Sequence, residues 1–194
     1  MRVQTVFLFD LDGTLVDSVY QHVLAWRDAL DAEGIPLSVW RIHRKIGMSG
    51  GLFTNQLARE TGVALDEARL QRLSAAHAAA YRGMGKRIRP LPGARELLDF
   101  LTARSIPWAI ATSGRMETAG VNLAALGVDP TQAVVVTRDQ VKHAKPDPDL
   151  FLAAAARLGA PIETAYVIGD SIWDMLAAAR CRASASACSA AATA

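Results

Sequence analysis

Cysteine, aromatic residues and surplus charge of either sign are all scarce in this 194-residue chain: two cysteines, 6% aromatics and a formal net charge of +2. Each shortage excludes something. Cys181 and Cys188 sit in one small-residue segment without zinc-site spacing, so neither a disulfide framework nor a cysteine metal cluster is expected. The near-neutral balance, with no Lys/Arg stripe interleaved with aromatics, gives no electrostatic footprint for nucleic acid. No apolar run approaches the roughly 20 residues of a membrane span, and Asp10 cuts the N-terminal run before a signal-peptide core could form. The expectation is a cytoplasmic protein with neither a membrane nor a nucleic-acid partner. With 51% hydrophobic residues, this length suits one good core plus a smaller appended unit.

What is present begins with Phe7-Leu8-Phe9-Asp10-Leu11-Asp12-Gly13-Thr14, an apolar strand ending abruptly in two carboxylates, a glycine and a threonine. Four short apolar runs read as buried strands: Val6 to Phe9, Trp108 to Ala111, Val134 to Thr137 and Tyr166 to Ile168. Helical patterns separate them. Residues 94–104 place Leu97, Leu98 and Leu101 on one face, residues 116–126 place Leu123 and Leu126, and residues 148–158 place Leu150, Phe151 and Leu158. That alternation predicts an α/β fold with a doubly wound parallel sheet.

Between the first two strands lie far more residues than one crossover helix needs. Val19, Val23, Trp26 and Leu30 recur there at helical spacing, with further helical patterns near 39–46, 52–61 and 66–82 and no convincing strand. Residues 17–88 are therefore expected to form a small all-helical cap inserted after the first strand. Residues 1–16 and 89–180 form the core, and Pro90-Leu91-Pro92-Gly93 marks the return to it. Residues 181–194 read as an atypical tail. No Val, Ile, Leu or aromatic follows Leu176, so the final buried strand that such a core normally carries is predicted to be missing.

In open parallel sheets, ligands bind beyond the carboxyl ends of the strands. The first strand delivers Asp10 and Asp12 there, the second Thr112-Ser113-Gly114, and the fourth Gly169-Asp170-Ser171 with Asp174 one turn later; Lys145 follows the third. Two like charges held close raise one pKa unless a cation sits between them or one stays protonated, and both remedies serve catalysis. The set offers a nucleophile, an acid/base, hydroxyl and backbone donors, a cation, and carboxylate ligands for a metal.

On these four motifs, in this order, the chain resembles the haloacid dehalogenase (HAD) superfamily. Within it, the likeness is to magnesium-dependent phosphatases with a helical cap, of the phosphoglycolate phosphatase and β-phosphoglucomutase kind. The resemblance covers roughly residues 4–180 and implies a Rossmann-like core. It implies that Asp10 is the nucleophile, forming an aspartyl-phosphate that water then hydrolyses. Asp12 would be general acid and then base, its backbone carbonyl also ligating the metal. The implied metal is Mg2+, a hard ion suited to carboxylates, phosphate and water, with Asp10 and Asp170 as side-chain ligands and Asp174 in support. Ser113, with backbone amides near Gly114, would bind the transferring phosphoryl oxygens; Thr112 completes that motif, and Lys145, rather than Lys142, would neutralise their charge.

Other residues admit plainer readings. Asp17-Ser18 suits a helix cap, and the histidines (His22, His43, His77, His143) and tryptophans suit packing. Arg44-Lys45 with Gly47-Met48-Ser49-Gly50-Gly51 suits either a substrate-binding loop facing the phosphate crevice or a solvated cationic face. The implied activity is hydrolysis of a small phosphorylated metabolite by a monomer or homodimer. The rivals are a phosphomutase with the same core motifs and a folded but inactive or merely phosphate-binding protein. A dehalogenase is disfavoured by Asp12 and Asp170, because such members of the family generally lack the second aspartate and need no metal.

Overall fold

The structure is a computed structural model, and it describes residues 5–188. In chain order the elements are β1 (Val6–Phe9), β2 (Val16–Asp17), α1 (Val19–Ala32), α2 (Val39–His43), α3 (Gly50–Thr61), α4 (Glu67–Gly83), β3 (Arg89–Pro90), α5 (Ala94–Ala103), β4 (Trp108–Ala111), α6 (Met116–Leu126), β5 (Val134–Val136), α7 (Asp149–Arg157), β6 (Ala165–Gly169), α8 (Ile172–Cys181) and β7 (Ser184–Ala187). The five-stranded sheet has the order β5-β4-β1-β6-β7 and is parallel at every pairing.

Side chains alternate across a strand, and here the alternation feeds two cores. Val6 and Leu8 of β1, Ala109 and Ala111 of β4 and Val167 of β6 point to one face, where Leu150 and Phe151 of α7 and Ala177 and Ala178 of α8 cover them. Phe9 and Ile110 point to the other face, against Leu98 and Leu101 of α5 and Leu123 and Leu126 of α6. Helices on both faces make the sheet doubly wound, with β1 at its centre. Asp10 thus leaves the most enclosed strand, its N–H still donating to the Ile168 carbonyl at 2.9 Å.

Helices α1–α4 form a unit with its own core of Val23, Leu30, Ile35, Ile42, Phe53, Leu57 and Leu73. Its two crossings to the sheet lie side by side as a two-residue antiparallel ribbon that pairs Val16 with Pro90 and Asp17 with Arg89. So short a ribbon carries no sequence periodicity and was not predicted.

Three expectations need correction. Ser184–Ala187 do form a strand, β7, in register with Tyr166–Gly169 of β6, although all four residues are exposed. Arg182, in the left-handed region at φ 61°, turns the chain out of α8 towards it. The ladder is a backbone interaction, so a run of Ser and Ala can pair while showing no apolar pattern. The remainder of the atypical tail, 189–194, lies outside the described residues. On α5, Leu97 stands 41% exposed while Leu98 and Leu101 are buried, so the inward stripe is narrower than three leucines. Trp40, read as a packing residue, is 57% exposed.

Candidate active site

Asp10, Asp170 and Asp174 gather beyond the ends of β1 and β6, with one carboxylate oxygen from each lying within 4.8 Å of the others. Local backbone geometry makes the gathering possible. Gly13 adopts φ +84°, and a Cβ there would lie 2.3 Å from Asp170 Oδ2, so the turn after β1 passes Asp170 at a distance only glycine permits. Thr14 Oγ1 donates to Asp170 Oδ1 at 3.2 Å. Ser171, the N-cap of α8, donates to Asp174 Oδ2 from its backbone N–H at 3.1 Å and from its hydroxyl at 2.5 Å. Lys145, 1% exposed, lies between two of the carboxylates, bonded to Asp10 Oδ1 and 2.7 Å from Asp174 Oδ1. Lys142, by contrast, is exposed.

The electrostatics follow from that crowding. Burial pushes the Asp10 carboxyl well above its ordinary value; Lys145 pulls it down, while Asp174, Asp170 and Asp12 push it further up. Burial and then Asp174 raise Asp170 to about 6. Burial alone would lower the Lys145 ammonium, but Asp10 and Asp174 outweigh it and hold it raised and charged. Three carboxylates thus share one buried ammonium. A divalent cation is the natural complement of that imbalance, and an all-oxygen donor set suits a hard one such as Mg2+. Asp174 Oδ2 is held by Ser171, while its Oδ1 stands close to the Lys145 ammonium without forming a directed hydrogen bond.

Asp12, two residues after Asp10, is held differently. Its Oδ1 accepts from Ser18 Oγ at 2.6 Å, His22 Nε2 at 3.0 Å and Asn122 Nδ2 at 2.5 Å, while Oδ2 has one longer contact, with Thr112 Oγ1 at 3.3 Å. Burial would raise this carboxyl, but the neighbouring His22 imidazole and the His22 and Ser18 hydrogen bonds, with Lys145 adding its charge, bring it below the ordinary range.

At the end of β4, Thr112 is 1% exposed and braces the loop, accepting from the Gly114 N–H at 3.0 Å. Ser113 Oγ is buried and has no hydrogen-bond partner among the described residues. Leaving a hydroxyl in that state costs about 1–3 kcal/mol, so Ser113 Oγ keeps an unused capacity for a hydrogen bond. Gly114, expected to help bind phosphate, directs its own N–H at the Thr112 hydroxyl.

The basic pair of the insert, Arg44 and Lys45, makes its contacts within the insert. Lys45, 5% exposed, is bound by Glu60 Oε1 at 2.7 Å within the insert. Arg44 lies exposed over the Trp40 ring. Among the described residues neither pairs with the carboxylate cluster. The adjoining glycine loop does reach the core. Ser49 N–H donates to the Lys145 carbonyl at 2.8 Å, and a Cβ on Gly47 would stand 3.0 Å from Ser171 Oγ and 3.3 Å from Trp173.

The neighbours of Asp12 are what residue reading missed. Ser18, expected to cap α1, makes no capping bond and turns to Asp12 instead. His22, expected to pack, does so against Tyr81 at 3.8 Å between ring centroids, yet also donates to Asp12. The available signal was spacing: Ser18 and His22 are four apart, hence on one helix face, immediately after the Asp12-Gly13 turn. Asn122 carries no such signal.

Comparison with known proteins identifies the family and the fold. The profile of the haloacid dehalogenase-like hydrolases matches residues 4–182. Hexitol phosphatase A of Escherichia coli is 36% identical over 167 residues, which span 85% of this chain and 74% of that protein. A crystal structure of a hydrolase from Pseudomonas syringae superposes with a TM-score of 0.92 at 59% identity, over 94% of this chain and 83% of that one. The β-phosphoglucomutase of Clostridium difficile shares the fold, with a TM-score of 0.83 at 22% identity over 94% of this chain and 83% of that one. The chain belongs to the haloacid dehalogenase-like hydrolases.

Proposed function

We propose that the protein is a Mg2+-dependent phosphate-monoester hydrolase acting on a small phosphorylated metabolite through a phosphoaspartate. The observation that carries this reading is the division between its two paired aspartates. Asp10 sits in a cluster of carboxylates around the single ammonium of Lys145, and Asp12 sits in a cage of hydrogen-bond donors. The phosphatase relative supports the reaction class.

Asp10 attacks phosphorus through its carboxylate, forming an acyl-phosphate as the ester P–O bond breaks. Lys145 keeps that carboxylate oriented and offsets charge on the transferring phosphoryl group, whose oxygens find the unpartnered Ser113 hydroxyl. Asp12, after taking up a proton from the monoanionic phosphate ester, delivers it to the departing oxygen, then withdraws one from the water that cleaves the acyl-phosphate and regenerates Asp10. Asp10, Asp170 and the Asp12 carbonyl would hold Mg2+, with Asp174 in support, and the ion would supply positive charge that favours ionised Asp10 and offsets the charge of the phosphate. The helical insert acts as a cap, opening on its ribbon to admit substrate and closing through the Gly47–Ser49 loop.

The test is hydrolysis of p-nitrophenyl phosphate with and without Mg2+, beside Asp10→Asn, whose amide cannot form an acyl-phosphate. Turnover that needs Mg2+ and vanishes in the variant supports the reading. Metal-independent turnover, or an active Asp10→Asn, defeats it. Transfer of the phosphoryl group to a second position on a sugar phosphate, without release of phosphate, would identify a mutase instead.

A further inference from the structure

We infer that Tyr81 and Asn122 form a positioning pair for Asp12, through which the seating of the helical insert on the core aims the general acid/base; the inference rests on the acid/base role proposed for Asp12. Asp12 Oδ1 accepts from Asn122, and Asn122 Oδ1 lies 2.6 Å from the Tyr81 hydroxyl. Hydrogen-bond bookkeeping gives this chain one direction. An ionised carboxylate only accepts, so Asn122 must present its amide nitrogen to Asp12. Its carbonyl oxygen then faces Tyr81, and Tyr81 must donate. Burial, joined by the charge of Asp12, pushes the phenol well above its ordinary range, with the Asn122 bond only partly offsetting, so the donor keeps its proton. Tyr81 and Asn122 are both fully buried, so no bulk water stands ready to replace either partner.

The three residues come from three parts of the chain. Asp12 follows β1 at the centre of the sheet, Asn122 lies on α6 of the core, and Tyr81 lies near the end of α4, the last helix of the insert. The same two helices are joined at their surface by the Arg82–Glu117 ion pair. The Tyr81 ring also stacks on His22, the second donor to Asp12 Oδ1, and His22 Nδ1 meets His77 Nε2 of α4 at 3.1 Å. Burial, with a further contribution from His22, lowers His77 to about 3, so it is a neutral partner in that contact near neutral pH. Residues of α4 thus stand behind two of the three donors that crowd Oδ1.

That crowding selects an oxygen. Ser18, His22 and Asn122 saturate Oδ1, whereas Oδ2 keeps only its 3.3 Å contact with Thr112. Oδ2 is therefore the oxygen that carries the transferable proton, and the amide of Asn122 fixes the plane in which it points. Without the Tyr81 hydroxyl the amide loses its second anchor, and Asp12 keeps its chemistry but loses its aim.

The experiment compares kcat/KM for phenyl phosphate, whose leaving group needs protonation, with p-nitrophenyl phosphate, whose leaving group hardly does. Wild type, Tyr81→Phe, Asn122→Ala, the double variant and Asp12→Ala are measured with Mg2+, and each fold is checked by its thermal melt. Tyr81→Phe removes one oxygen and keeps the ring. It should lower the phenyl phosphate value about tenfold, a fraction of what a whole acid/base contributes, and the p-nitrophenyl phosphate value less than twofold. Asn122→Ala should do at least as much in the same pattern, and adding Tyr81→Phe to it should cost nothing further, because the chain is already cut. Equal losses on both esters, no loss in Tyr81→Phe, or penalties that multiply in the double variant would overturn the pair. Asp12→Ala separates the two levels. If its own loss is the same on both esters, the acid/base reading fails and the pair with it; a leaving-group-dependent loss in Asp12→Ala beside an unaffected Tyr81→Phe overturns the pair alone.

Discussion

Asp10 faces Lys145, Asp170 and Asp174, supplied by loops and the first turn of α8 in the α/β core, whereas Asp12, two residues on, faces Ser18 and His22 of the insert and Asn122 of α6. The first half of the site is built from formal charges, and its Asp10 and Asp170 carboxyls are raised; the second is built chiefly from hydrogen-bond donors and its carboxyl is lowered. The difference teaches how one short motif can hold two carboxylates in two roles. A charge cluster is sensitive to what neutralises it, so the Asp10 side should respond to cations and pH. A donor cage is sensitive to angle and distance, so the Asp12 side should respond to how helices pack.

The comparison can be broken most forcefully at Lys145. Lys145→Met leaves Asp10 and Asp174 buried without their ammonium, and should abolish turnover and cost about 3–5 kcal/mol in urea unfolding at pH 8. The loss should shrink at pH 5, where Asp10 can take up a proton. An equal penalty at both pH values would mean that charge does not organise this half. Next in size, Asp12→Ala should lower kcat/KM on a poor leaving group by roughly 10²- to 10⁴-fold, the worth of an acid/base, while leaving the protein folded. A few-fold loss would place the proton donor elsewhere.

A subtler effect concerns Mg2+ and pH. Asp170 is raised to about 6, above the ordinary carboxyl value near ~3.9, so it binds its proton more tightly folded than unfolded. Without the cation it therefore contributes stability at low pH that is lost as pH rises through about 6, and Asp10 acts in the same direction. A bound cation competes with those protons. Mg2+ should raise Tm by several degrees at pH 8 and by clearly less at pH 5, read by thermal denaturation; equal shifts would contradict a cation site at Asp10 and Asp170. The smallest effect expected is at Arg44→Ala, on the exposed surface over Trp40, where kcat/KM should stay within about twofold of wild type. A tenfold loss would restore Arg44 to the substrate crevice.

The two halves also differ in how far residue order revealed them. Buried strands of a parallel sheet are continuous apolar runs, and polar residues standing just past their ends are conspicuous, so Asp10, Asp12, Ser113 and Asp170 stand out as candidates in the chain, whereas Lys145, well past β5, is set apart from Lys142 by the family resemblance. The Asp12 cage could not, because its donors resemble something commoner. A serine before a helix looks like a cap, a histidine on a half-apolar face looks like packing, and Asn122 lies among small residues of α6. The Lys45 pairing was hidden for a related reason: its partner Glu60 is fifteen residues away on α3, and only tertiary packing brings them together. β7 was invisible because Ser184–Ala187 pair through the backbone and bury no side chain.

Chemical trapping tests the division of labour most directly. Protein turning over p-nitrophenyl phosphate with Mg2+ would be quenched, reduced with borohydride and digested, and the peptide containing residues 5–18 sequenced by mass spectrometry. A phosphoaspartate reduces to homoserine, so homoserine at position 10 alone, absent without substrate, is the predicted result. Homoserine at position 12, or full turnover with no reduced aspartate in that peptide, would contradict the account.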